Sequence, residues 1–170
     1  MQALREIGFS KAFRFGWATL ALGAYGLLGF PQLRSPFLRM LGARVGPNAI
    51  LHGTRFFNAY RLGFPGLTVG RCAFVGDDCL LDLADRITLD EHATLAERVA
   101  VLTHTNVGYA DHPLQAHVPA STAPVHFRRG CFVGANATEE SWASREHTLT
   151  TRLLRRLRIA AATEPRRPFA

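Results

Sequence analysis

A single spacing dominates this chain. The residues at positions 45, 51, 57, 63, 69, 75, 81, 87, 93 and 99 fall six apart and read Val45, Leu51, Phe57, Gly63, Val69, Val75, Leu81, Ile87, Ala93 and Val99. Glycine follows three of them directly, in Val45-Gly46, Val69-Gly70 and Val75-Gly76, and a further copy, Val133-Gly134, stands downstream. A period of six matches neither the 3.6-residue period of a helix nor the alternation of an ordinary strand. It matches a β-helix of hexapeptides, in which each repeat is a short flat strand plus a turn and three repeats close one triangular coil. The aliphatic residue of each repeat is expected to point into the prism. Glycine after it is expected to relieve crowding at the corner, where the backbone takes conformations costly for residues with a Cβ. The residue four after the aliphatic is also expected inside and small. Ala49, Ala73, Cys79 and Thr103 fit, and Arg55 does not.

The register is broken in two places. The stretch Phe56-Phe57-Asn58-Ala59-Tyr60-Arg61-Leu62-Gly63-Phe64-Pro65 interrupts the pattern. A second phase then begins at Leu89-Asp90 and continues through Leu95-Ala96 and Val101-Leu102. A two-residue bulge at Leu83-Ala84-Asp85-Arg86 accounts for the shift and makes Ile87, Ala93 and Val99 the second inward position of their rungs. Val45, Val69, Val75, Leu81, Leu89, Leu95, Val101 and Val133 should therefore be buried, with Arg71, Asp77 and Asp78 at exposed corners.

The run from Val69-Gly70-Arg71-Cys72 through Val75-Gly76-Asp77-Asp78-Cys79 to Ile87-Thr88-Leu89-Asp90, then Val101-Leu102-Thr103-His104, a long polar loop, and Pro124-Val125-His126-Phe127 to Val133-Gly134-Ala135-Asn136, resembles the left-handed β-helix acyltransferases with hexapeptide repeats. The maltose, galactoside and polysaccharide O-acetyltransferases are the nearest in kind. The resemblance covers about residues 41–138. It implies an all-β, left-handed parallel β-helix, an acyl-CoA donor with acetyl-CoA as first choice, and a homotrimer with active sites between subunits. The acceptor it implies is a hydroxyl of a saccharide or glycolipid precursor. It leaves the cofactor-binding residues unassigned, because one fold hosts many acceptors.

Charge divides the chain into the same parts. Residues 1–44 hold six basic and one acidic side chain, residues 45–138 seven and eight, and residues 139–170 seven and four. The central body is near neutral, which argues against a nucleic-acid groove across it. Three cysteines, an odd count, do not make a disulfide framework; Cys79 and Cys131 read as small core residues of a protein from a reducing cytoplasm. No compact metal-ligand spacing occurs. A γ-carbonic-anhydrase-like zinc site would need a set such as His92, His104 and His126 on neighbouring rungs, and these do not have it, so no metal is expected. Gly63, Gly66 and Gly70 do not form a phosphate loop, since no helix follows them.

Residues 1–40 form an apolar, basic arm expected to be helical. Phe15 to Leu33 is nineteen residues without a charge, flanked by Arg5, Lys11 and Arg14 before and Arg34, Arg39 and Arg44 after. A spanning helix needs about 20 apolar residues, and four glycines dilute this one, so an arm lying in the cytoplasmic membrane interface is preferred to a span. The other arrangement is a helix packed on the end of the β-helix.

Of the seven histidines, His104 stands apart. It ends a rung, so regular structure fixes it, and it opens the one long excursion, residues 105–124. In the resembled family a histidine at this junction is the general base, and the separation of His104 from Pro124 is similar to the family spacing. His112, in Asp111-His112-Pro113, is the runner-up, and Asp111 is a candidate to orient a histidine. An imidazole, with an unperturbed pKa of about 6.5, can take the proton of a sugar hydroxyl as it attacks a thioester and return it to the departing thiolate. Such help is worth roughly 10²–10⁴-fold.

The pattern stops after Thr138. Glu139-Glu140-Ser141-Trp142 is no hexapeptide, Leu149, Leu153, Leu154 and Leu157 make a short helical apolar face, and Glu164-Pro165-Arg166-Arg167 reads as disordered. A truncated or frameshifted copy of the repeat is expected here in preference to a replacement cap. The competing function is accordingly a catalytically weak or inactive β-helix remnant that oligomerises or scaffolds.

Overall fold

A computed structural model describes residues 9–106 and 112–140. Its body is a prism of three parallel sheets. The first contains β1 (Arg44–Val45), β4 (Leu67–Val69), β7 (Ile87–Leu89) and β12 (Val125–Phe127). The second contains β2 (Ile50–Leu51), β5 (Phe74–Val75), β8 (Thr94–Leu95) and β13 (Phe132–Val133). The third contains β3 (Arg55–Phe57), β6 (Leu80–Asp82), β9 (Ala100–Leu102) and β14 (Thr138–Glu140). Each turn of the chain adds one strand to each sheet, which makes a left-handed parallel β-helix of hexapeptide repeats.

Inside the prism, like stacks on like. Val45 aligns with Val69, Val69 with Leu89 and Leu89 with Phe127. Leu51, Val75, Leu95 and Val133 form the second column. All of these are buried except Val133, which is half-buried on the last coil. The smaller inward positions, Ala49, Ala73, Cys79, Ala93 and Thr103, are also buried, whereas Arg71, Asp77 and Asp78 are exposed. Burial in this close-packed interior raises the Cys79 thiol above its ordinary pKa. The third column corrects the sequence reading by one residue. Phe56, not Phe57, aligns with Leu81, and Thr54 rather than Arg55 is buried before it. The two-residue bulge lies where expected: the chain leaves the sheet over residues 83–86 with Leu83 still buried in the core, and Leu89 returns in register with Val69.

Of the two causes expected for the glycines after valine, crowding holds and an unusual backbone conformation does not. Gly46, Gly70 and Gly76 do not take positive φ. Instead, a Cβ on Gly70 would lie 2.5 Å from the Asp90 carbonyl carbon and one on Gly46 would lie 2.6 Å from the Arg71 nitrogen. Glycine is needed because the next coil passes so close. The left-handed corners fall two residues later, on Asn48, Cys72, His92 and Gly130 along one edge and Asp78, Arg98 and Asn136 along the next. Gly134, on the last coil, has nothing within 4 Å of its absent Cβ.

Two helices close the other end. α1 runs Phe9–Gly26 and α2 runs Pro31–Met40, with Pro31 in its first turn, where a missing N–H costs nothing. α2 stops in a Schellman turn. Gly42, at φ +97°, donates to the Arg39 carbonyl at 2.9 Å, and Ala43 donates to that of Leu38 at 2.9 Å. The buried Leu38 plugs the prism, Ser35 Oγ donates to the Ala49 carbonyl at 3.1 Å, and Arg39 Nε donates to that of Val45 at 2.7 Å. α1 packs through Ala18, Ala21 and Tyr25, whose ring meets Phe56 edge-on at 5.3 Å. Burial pushes the Tyr25 hydroxyl up to about 12. The expected apolar face from Leu149 to Leu157, and the rest of the tail from residue 141, lie outside the described residues.

Candidate active site

Two edges of the prism turn tightly. At the third, between the third sheet and the first, every coil makes an excursion. Residues 58–66 leave after β3, with a 3-10 turn at Phe64–Gly66; residues 83–86 leave after β6; and the long loop leaves after β9. The long loop begins and ends as a small antiparallel ribbon of β10 (His104–Thr105) and β11 (Ser121–Thr122), in which His104 pairs with Thr122. His104 thus stands on a two-residue strand just beyond the rung.

Stacking brings two polar residues from earlier coils to His104. The Asp82 carboxylate, wholly buried, accepts a hydrogen bond from His104 Nδ1 through Oδ2. The same oxygen accepts the Thr103 N–H at 3.0 Å, while Oδ1 accepts Asn58 Nδ2 at 2.7 Å and the Ala84 N–H at 3.1 Å. Asn58 Nδ2 also lies 3.3 Å from His104 Nδ1. Burial alone would raise the Asp82 pKa. The hydrogen bonds from His104, Asn58 and the Thr103 N–H, together with the attraction of His104, outweigh burial and hold the carboxyl below its ordinary value. An ionised Asp82 at Nδ1 fixes the imidazole with that nitrogen protonated and leaves Nε2 as the ring's acceptor. The His104 side chain is 26% exposed, and the Phe57 ring meets it edge-on at 5.9 Å.

The imidazole lines a cleft of about 190 Å³ together with Arg61, Thr105, Asn106, Ala120, Ser121 and Thr122. The hydroxyl of Thr105 is buried and has no partner among the described residues. His112 is exposed beside the 3-10 turn Pro113–Ala116 and does not line this cleft; Asp111 lies outside the described residues. The carboxylate that orients His104 is therefore Asp82. The sequence carried a signal for it, an acid set among Leu80, Leu81 and Leu83. Of the other histidines considered for zinc, His126 Nε2 contacts Asp90 Oδ1 at 2.9 Å, and His92 occupies a left-handed corner. Among the described residues no group of three or more His, Cys, Asp or Glu could hold a metal ion.

The chain is 27% identical over 146 residues to the protein named Putative colanic acid biosynthesis acetyltransferase WcaF of Escherichia coli K12, a match spanning 80% of this chain and 75% of that one. The protein of the same name in Shigella flexneri gives the same figures. The chain is a distant homologue of both. No family model matches it, and no solved structure does.

Proposed function

We propose that this protein is an acyl-CoA-dependent O-acetyltransferase that modifies a hydroxyl of a saccharide or glycolipid precursor in polysaccharide biosynthesis, as a homotrimer. The observation that carries this reading is the buried Asp82 carboxylate on His104 Nδ1, at the edge where all three excursions gather. The similarity to a protein named for acetyl transfer in colanic acid biosynthesis supports the reaction class.

In this scheme Nε2 of His104 accepts the proton of the acceptor hydroxyl as its oxygen bonds to the thioester carbonyl carbon. The oxyanion intermediate then collapses, the carbon–sulfur bond breaks, and His104 returns the proton to the thiolate. Asp82 does not exchange the proton; it holds the ring and balances the imidazolium charge formed midway. The Thr105 hydroxyl, buried beside the base and without a partner among the described residues, would meet the developing oxyanion on turning toward the cleft. The test is transfer of labelled acetyl from acetyl-CoA to a panel of mono- and oligosaccharides, with thiol release followed in parallel. Stoichiometric sugar acetylation and thiol release that vanish together in His104→Ala support the reading. Wild-type protein that binds acetyl-CoA but never releases thiol overturns it and favours the scaffolding alternative.

A further inference from the structure

α1 is apolar on both sides. Its inner side, with Ala18, Ala21 and Tyr25, packs on the prism. Its outer side carries Phe13, Trp17 and Leu20 at helical spacing, each between 61% and 71% exposed, and Leu27 and Phe30, just beyond its end, are 87% and 71% exposed. No helix among the described residues is long and apolar enough to cross a membrane. A helix with one apolar face uncovered is suited to lie in an interface.

Charge identifies the occupant. From residue 7 to residue 76 the chain has eight basic side chains and not one Asp or Glu. Arg55 and Arg71 face Asp78 and Glu91 of the following coil at 3.9 and 3.4 Å. Among the described residues no carboxylate pairs with Arg14, Arg34, Arg39, Arg44 or Arg61. The helical end of the prism is therefore a basic pole. A second copy would bring the same unpaired arginines to the same face. The tail is no better suited, since residues 141–170 carry seven basic and two acidic side chains. An anionic lipid surface complements both the charge and the apolar stripe.

The same helix touches the active-site cleft. Phe15 meets the Tyr60 ring at 5.6 Å, and Arg14 Nη2 donates to the Arg61 carbonyl. Arg61 is the cation that lines the cleft beside His104. We propose that the outer face of α1 docks on an anionic lipid surface and, through Phe15–Tyr60 and Arg14–Arg61, holds the mouth of the His104 cleft at that surface. Taken with the transferase reading, on which this last step rests, the acceptor is lipid-anchored, and Arg61 stands ready for an anionic group on it.

The test uses the full chain carrying Trp142→Phe, so that Trp17 is its sole tryptophan. The chain should float with mixed phosphatidylethanolamine–phosphatidylglycerol vesicles and not with phosphatidylcholine vesicles, and Trp17 emission should shift to the blue on binding. Trp17→Glu with Leu20→Glu should reduce the floated fraction by at least about tenfold at an unchanged melting temperature. On docking, deuterium uptake should fall in α1 and in residues 58–66 but not in β13. Absence of flotation in low salt, protection of β13 instead, or a double variant that dissociates an oligomer while flotation persists would each overturn the proposal. No readout involves acetyl transfer. A chain that docks but transfers nothing therefore overturns the function above and leaves the docking standing.

Discussion

Asp82 and His104 lie 22 residues apart and on successive coils, yet the carboxylate of one and Nδ1 of the other meet at a single edge of the prism. The register sets Leu81 against Val101, so the chain runs past Leu102 and Thr103 before His104 meets Asp82 where both coils leave the third sheet.

Replacement of His104 by alanine should reduce acetyl transfer by about 10²–10⁴-fold, the loss expected when a general base is removed. The side chain is partly exposed, but its loss removes one donor from the buried Asp82 carboxylate, so the melting temperature should also fall and the rate is read on protein shown to be folded. His112→Ala, outside the cleft, should keep most of the rate. Steady-state kinetics on the two variants decides between them, and an active His104→Ala protein would remove His104 from its role.

Asp82→Asn should act through the ring rather than on substrate. Without the charge, Nδ1 loses the partner that keeps it protonated, and kcat should fall by tenfold to about 10⁴-fold, the upper figure applying if the tautomer inverts, while KM for acetyl-CoA holds. The carboxyl also has a pH signature. Its folded pKa lies below its ordinary value. Its contribution to stability should therefore be complete above the unfolded value of about 3.9 and disappear as pH falls through the lower folded value. Denaturant titrations across this acid range should show the loss in wild type and a flatter profile in Asp82→Asn.

Thr105→Val separates stability from function. A buried hydroxyl without a partner costs about 1–3 kcal/mol in lost solvation, so the near-isosteric valine should melt at the same temperature or higher. If Thr105 serves the oxyanion, kcat should drop by about 10²–10³-fold. Unchanged kcat would mean that another donor serves the oxyanion.

Glycines at equivalent places should respond in opposite ways. Gly70→Ala drives a Cβ to 2.5 Å from backbone of the next coil and should destabilise by about 1–3 kcal/mol or more. Gly134→Ala meets open space and should be close to neutral. Urea midpoints for the two proteins measure the contrast.

The columns were legible because one rule generates them: Val45, Val69 and Leu89 repeat the same local chemistry. The phase shift at residues 83–86 was legible for the same reason. The third column slipped because Phe56 and Phe57 are chemically identical, and only alignment with Leu81 selects between them. The cause of the Val-Gly pairs was legible only in part: crowding was expected and is found, but a close approach between coils leaves the same trace in sequence as an unusual φ. His104 could be found because it ends a rung. Asp82 was marked only as an acid set among leucines, and its meeting and that of Asn58 with His104 depend on how many residues each excursion takes out of register, which is known only once the coils are stacked. The inner and outer sides of α1 were equally hidden, since both are apolar.

The division of the prism into two tight edges and one looped edge has an evolutionary meaning. At the tight edges an inserted residue would shift every column beyond it. At the looped edge the chain has already left the sheet and must only return in step, so length there is free to drift as long as anchors such as Asn58, Phe64 and Leu83 are kept. Variation and structural integrity are thus inherited separately: a descendant of this protein can rewrite the span between Thr105 and Ser121 while its ladder of valines and leucines passes on unaltered.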